Sequence, residues 1–189
     1  MGKIICLYGL PACGKTTQAV KINNEFNLIQ FGMGDRLREE IASGSELGQK
    51  IKSYVDAGTL ISDDLMKQVI ENVGESIKDK GIIFDGFPRM ISQAKMLEEI
   101  CQNIDKEIDY FFYLKVSHDE ALKRLTQRAK ITGRSDDLNP EAVKSRMSVF
   151  DTESKILLKY YQENGKLIEI DGEMSIEDVY NEIKKYLEK

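Results

Sequence analysis

The stretch "GLPACGKTTQA", residues 9–19, follows a short apolar run, KIICLY, at residues 3–8. Gly9 opens it, Gly14 precedes Lys15, and Thr16 and Thr17 follow. That spelling fits GxxxxGK(S/T), a loop whose backbone N–H groups wrap a phosphate at the start of a helix. The apolar run supplies the strand before the loop, and residues 17–25 supply the helix after it. A chance glycine-rich turn is the alternative, and the ordered context weighs against it. Phosphate binding alone leaves open what becomes of the phosphate.

Four more apolar runs lie downstream: LIQF (28–31), GIIFD (81–85), YFFYLKV (110–116) and KLIEI (166–170). Longer amphipathic stretches separate them, which is the alternation of parallel βαβ units in a doubly wound sheet. Ser117 with Glu120 three residues on predicts a capping box. Asn139-Pro140 predicts a cap and a first-turn proline for a helix over 140–163, in which Val143, Met147, Phe150, Leu157 and Tyr161 recur at helical spacing before Gly165 closes it. Two segments break the alternation. Residues 32–61 carry two short helical patterns split by SGS, and residues 129–139, AKITGRSDDLN, read as a polar turn. The organisation expected is a single domain, 1–189, with inserts at about 32–61 and 129–139, placed where loops carry function.

Composition bounds the partners. The chain of 189 residues is 41% hydrophobic and 31% charged, which suits one compact domain. A net charge of −5 argues against a broad basic surface for nucleic acid. No apolar run nears the about 20 residues of a membrane span, and the apolar start is too short for a secretory signal. Three cysteines without a CxxC pair read as reduced thiols in a cytoplasmic setting. Nothing marks an apolar patch for pairing, so a monomer is expected.

The basic residues are unevenly used. All seven arginines lie between Arg36 and Arg146, whereas lysines run throughout. Arginine's planar fork matches phosphate oxygens better than lysine's point charge. Arg124 and Arg128, four apart, share a helix face; Arg134 sits in the polar insert and Arg146 on the next helix. For any one of them solvated surface charge is the ordinary fate, but the set of Arg38, Arg89, Arg124, Arg128, Arg134 and Arg146 is too confined for that. Asp85 ends an apolar strand and suits the acidic residue that holds magnesium in phosphate-loop proteins. Cys13 at a helix start raises the idea of redox inhibition through a lowered thiol pKa, against the plainer reading of a small residue tolerated in a loop. His118, the one histidine, falls in a first helical turn and is expected to be exposed, which leaves no histidine-based triad or metal site.

Assembled, these residues resemble the nucleoside monophosphate kinases, most closely the adenylate kinase family, over nearly the whole chain. GLPACGKTTQA is similar to that family's phosphate loop, GDRLREEI to its GDLLR-type helix, and DGFPRMISQA, with glutamine four residues after DGFPR, is the most specific string. RLTQRAKITGRSDD resembles the short-lid form, without the cysteines of a structural zinc site. The resemblance implies an α/β fold, a P-loop NTPase-type doubly wound parallel five-stranded sheet with two mobile inserts. It implies ATP at Lys15 and the loop Ala12, Cys13, Gly14, Thr16 and Thr17, with Arg124 and the backbone of Met174 near the ATP base. Thr16 and Asp85 are the expected magnesium ligands. AMP would be held by Arg38 and Arg89, by Gln93 at the base, by Gly86, Phe87 and Pro88 beside it, and by the backbone of Thr59, Leu60 and Ile61. Arg128 would lie at the ATP phosphates and act in catalysis, and Arg134 and Arg146 would close on the transferring group, with Asp136 and Asp137 ordering the lid.

Three departures from the family stand out. Gly32-Met33 replaces a usual Ser-Thr, so Met33 is expected to pack on the purine where threonine contacts it. PACGKTT replaces PGxGKGT, and Ala12 is tolerable there only if it needs no positive φ. One extra residue lies between Arg134 and Arg146, at Leu138-Asn139-Pro140. The activity implied is MgATP + AMP ⇌ 2 ADP without a general base, since a monophosphate already presents its nucleophile. A UMP/CMP kinase is the rival within the class, and a non-catalytic ATP-binding module the rival outside it.

Overall fold

The computed structural model describes residues 2–71, 73–76 and 80–188. Its five strands are β1 (Ile4–Tyr8), β2 (Ile29–Gly32), β3 (Ile82–Asp85), β4 (Tyr110–Lys115) and β5 (Leu167–Asp171), each within a residue or so of its apolar run. They form one parallel sheet in the order β2-β3-β1-β4-β5. Helices cover both faces, which is why the strands read as continuous apolar runs rather than alternating ones. Every residue of β1 is buried. Ile4, Cys6 and Tyr8 enter one core and Ile5 and Leu7 the other, as the two-residue period of a strand requires.

The first core packs β1 against α2 (Met33–Ser43), α3 (Glu46–Ala57), α4 (Asp63–Ile70), α6 (Ile91–Gln102) and α9 (Pro140–Glu163), with α5 (Val73–Ser76) between α4 and β3. The second packs it against α1 (Lys15–Phe26), α7 (His118–Thr132) and α10 (Ile176–Leu187). The connection leaving β1 crosses toward one edge of the sheet and the connection leaving β3 toward the other. A crevice therefore opens at the carboxyl ends of these two neighbours, where open α/β sheets bind ligands.

Sequence and structure agree on the two helices of 32–61 but differ at 129–139. There α7 continues to Thr132 because Ala129 lies on its buried face, and Gly133, at φ 61, ends it by donating its N–H to the Ala129 carbonyl. A short helix, α8 (Ser135–Leu138), follows instead of an open turn. The capping box at Ser117 is half made. Ser117 Oγ accepts the Glu120 N–H, but the Ser117 N–H goes to Glu173 because the Glu120 carboxylate is engaged by Lys123 and Arg124. Asn139 caps α9 as expected, accepting from Glu141 and Ala142.

The first insert touches α9 directly. Gly58, at φ 67, lies so close to that helix that a Cβ would stand 2.4 Å from the Ala142 carbonyl oxygen. Ser145 Oγ donates to the Gly58 carbonyl at 3.3 Å beside it.

Candidate active site

The loop after β1 folds on its own backbone. Gly9, Ala12 and Gly14 all have positive φ, 146, 62 and 104°. The expectation that Ala12 avoids this region is overturned: it sits in the left-handed basin, which costs a residue with a Cβ about 1–2 kcal/mol. Gly9 has no such freedom, since a Cβ there would stand 2.6 Å from the Leu114 carbonyl oxygen and 2.7 Å from Cys13 Sγ. Lys15 curls back over the loop and donates to the carbonyls of Gly9 (3.0 Å) and Leu10 (2.9 Å), with Cys13 Sγ at 3.4 Å. Cys13 itself is 2% exposed and part of the second core, so the plainer reading of a small residue filling space holds over an accessible thiol.

Across the crevice Thr16, in the first turn of α1, donates its hydroxyl to Asp85 Oδ2 at 2.5 Å. Asp85 ends β3 and is buried, and the segment after it turns through Gly86 to Arg89. Arg89 Nε donates to the Gly86 carbonyl at 2.8 Å, and its backbone N–H to Gln93 Oε1 at 2.8 Å. Burial lowers the Arg89 pKa from its ordinary value; Asp85 opposes the shift, while Arg146 and Arg38 add to it. This guanidinium stands near two other cations, with the Asp85 carboxylate favouring its charge but, among the described residues, no carboxylate as a hydrogen-bond partner.

The helices beyond contribute the remaining arginines in a different state. Arg128 grips Asp137 through two bonds, 2.6 and 2.8 Å, and Arg146 reaches Asp136 Oδ2 at 2.7 Å and Asp137 Oδ1 at 2.8 Å. Arg146 also donates to the Asp136 carbonyl. Burial works against the charged form of Arg128, but the bonds and charge of Asp137 outweigh it and raise its pKa. Burial likewise works against Asp137, and its bonds to Arg128 and Arg146 hold its carboxyl below the usual aspartate value. Arg134 is lowered by burial and by the nearby Arg38 and Arg128. Asp35, on α2, faces both Arg38 (2.5 Å) and Arg134 (3.7 Å) and so links the first insert to the second.

These groups surround one cavity of about 410 Å³. It gathers Ala12, Gly14, Lys15, Thr16, Thr17, Thr59, Leu60, Asp85 and Gly86 with all six arginines singled out in the sequence. The seventh, Arg36, lies outside it and pairs with Glu39 on the surface. Other expected site residues do not line it. Cys13, Met33, Ile61 and Phe87 are buried in the cores, as is Gln93; Pro88 lies outside the lining, and Met174 packs at the edge of the second core. Met33 in particular, the first residue of α2, is 1% exposed, so its side chain fills core rather than cavity wall. Among the wall residues that sequence reading missed are Tyr8, Asp35, Val55, Val149 and Phe150. The helical period marks Phe150 as inward-facing, but no local signal tells a cavity wall from a core. His118 is exposed and pairs with Asp151 at 2.9 Å, away from the cavity.

A cavity of this charge draws polyphosphates together and neutralises what passes between them, which defines a nucleotide phosphotransferase of the phosphate-loop class. Comparison with known proteins narrows the class. A family model described as "Adenylate kinase" matches residues 7–166. The chain is 40% identical over 182 residues to the adenylate kinase of Bacteroides fragilis, covering 96% of each chain. It is 40% identical over 182 residues to that of Parabacteroides distasonis, covering 96% of this chain and 95% of the relative, and 41% identical over 180 residues to that of a Caulobacter species, covering 95% of each. The chain belongs to the adenylate kinase family.

Proposed function

We propose that the chain transfers a phosphoryl group reversibly from MgATP to AMP, giving two ADP, within the cavity between β1 and β3. The observation that carries this reading is the convergence of Lys15 and six arginines on one space, with the chain's only histidine elsewhere. A phosphate acceptor needs no base to deprotonate it, so positioning and charge neutralisation are the whole task. The loop N–H groups and Lys15 hold the donor's phosphates, and Arg38 and Arg89 hold the acceptor phosphate. Arg128, Arg134 and Arg146 lie over the exchange and stabilise charge spread across the transferring group. The inserts at about 32–61 and 129–139 close over the nucleotides and exclude water, which would otherwise hydrolyse the donor. Gln93, buried behind Arg89 with its Nε2 unpartnered, is assigned to the acceptor base, and the loop around Met174 to the donor base.

Magnesium fits the donor set. Thr16 and Asp85 offer a hydroxyl and a carboxylate side by side at the cavity edge, the hard oxygen ligands this ion takes. An ion of this kind takes nucleotide phosphates and water for its other ligands. Thr16 and Asp85 would hold the ion, which would supply charge neutralisation at the phosphates. A monomer in the cytoplasm completes the reading.

The test is ADP formation from MgATP with AMP, CMP, UMP, GMP or no acceptor. Turnover with AMP alone is expected. Turnover with a pyrimidine acceptor overturns the base assignment but keeps the chemistry. ATP binding without turnover on any acceptor overturns catalysis altogether.

A further inference from the structure

Gln18 belongs to the opening motif, yet no part of the proposed chemistry uses it. It lies on α1 one residue beyond Thr17, is 2% exposed, and donates through Nε2 to the Ile176 carbonyl at 3.0 Å. Its Oε1 is buried without a hydrogen-bond partner. Turning the amide over would set that oxygen against the Ile176 carbonyl oxygen, so the bond to Ile176 fixes its orientation. An unpartnered buried acceptor is unfavourable, and stability alone favours a residue such as methionine at this α1–α10 contact. The amide therefore serves something other than packing.

What it holds is the first turn of α10, immediately after the loop from β5, residues 172–175. The same loop is gripped from α7 in two places: Arg124 Nη1 donates to the Gly172 carbonyl at 3.0 Å, and Glu173 Oε1 accepts the Ser117 N–H at 2.8 Å. The Gly172 N–H donates to the Lys115 carbonyl at the end of β4. Arg124 also lines the cavity, and Gln18 extends from the helix that carries Thr16 and Thr17. The loop is thus tied on one side to the arginine wall and on the other, through the first turn of α10, to the phosphate loop's own helix.

We infer that Gln18 is a positioning residue that sets the 172–175 loop against the donor nucleotide's base and so governs recognition of ATP as distinct from its phosphates. This rests on the proposed reading in which that loop lies at the ATP base. The bond from α1 makes the distance between phosphate seat and base seat a fixed length, so a triphosphate whose base reaches that loop gains affinity that a bare phosphate chain does not.

The probes are ATP, GTP and inorganic tripolyphosphate, their binding to the intact chain measured by calorimetry in magnesium and compared between parent and Gln18→Met. The parent is expected to bind ATP more tightly than tripolyphosphate. In the variant ATP affinity and kcat/KM for ATP should fall about fivefold or more and the preference for ATP over GTP should shrink. Tripolyphosphate affinity, KM for AMP and Tm should hold. ATP affinity and preference unchanged in Gln18→Met overturns the inference while leaving the proposed reaction intact; an equal fall for ATP and tripolyphosphate overturns it too, since the phosphate seat itself would then have moved. A parent that binds ATP no better than tripolyphosphate overturns the underlying reading of the loop. If Gln18→Met does not fold, Gln18→Asn, whose amide is too short to reach Ile176, is read against the same outcomes.

Discussion

The arginines at the two ends of the cavity are held in opposite ways. On the α7–α9 side Arg128 and Arg146 are locked by Asp136 and Asp137, each guanidinium matched to a carboxylate. On the sheet side Arg89 has a backbone carbonyl for its side-chain partner and feels the charge of Asp85 in its favour and those of Arg146 and Arg38 against it. The first pair is compensated before any nucleotide arrives and can be aimed without being spent. The second is a cation whose balance is completed by an anionic ligand. A fully compensated cavity would bind phosphates weakly, and a fully uncompensated one would strain the fold. This chain divides the two roles between its α7–α9 helices and the carboxyl edge of its sheet.

Removing the uncompensated charge should separate function from stability most widely. Arg89→Met is expected to lower kcat/KM for MgATP plus AMP by about 10²–10³, the scale for a preorganised charge at a reacting centre, while the urea midpoint stays level or rises. A loss under about tenfold would break the contrast. The compensated side should behave in reverse. Asp137→Asn leaves two part-buried guanidiniums short of a carboxylate and should cost about 2–4 kcal/mol of unfolding free energy, read in urea. Its pH dependence follows from the lowered carboxyl pKa. The stability it gives is present above the unfolded value near 3.8 and is lost as pH falls toward and through the lower folded value. The acid limb of the parent's stability curve should therefore be steeper than that of Asp137→Asn. The smallest effect concerns the loop between the two sides. Ala12→Gly relieves a left-handed φ at an entropic cost and should stabilise the protein by about 0.5–1 kcal/mol; a lower Tm would mean the loop needs that methyl group.

The inner strands β1, β3 and β4 were legible because both faces of the sheet are covered there, which makes them near-continuous apolar runs, whereas the edge strands β2 and β5 keep Gln30 and Glu169. The phosphate loop and DGFPR were legible because close backbone approach restricts residue choice over several consecutive positions. The arginine set announced itself by confinement to one part of the chain. What stayed hidden depends on contacts between distant segments. Nothing local distinguishes Met33, which fills core, from Val55 or Leu60, which face the cavity, since all three are apolar residues of the first insert. The extension of α7 past Ala129 and the helix at Ser135–Leu138 owe their form to a buried alanine and to acidic residues drawn into ion pairs across the turn, so the polar composition of AKITGRSDDLN misled. Ala12 shows the reverse failure, where a residue preference is overridden by the shape the loop must take.

The close approach of Gly58 to Ala142 has a mechanical consequence. The first insert meets α9 beside the root of the second, at a place where no side chain fits between the backbones. Any swing of the 33–61 segment relative to α9 pivots on or parts this contact, and any roll of α9 is felt by the segment in turn. Within the proposed closure, this contact ties the first insert to the helix that follows the second, so a displacement of one is passed to the other.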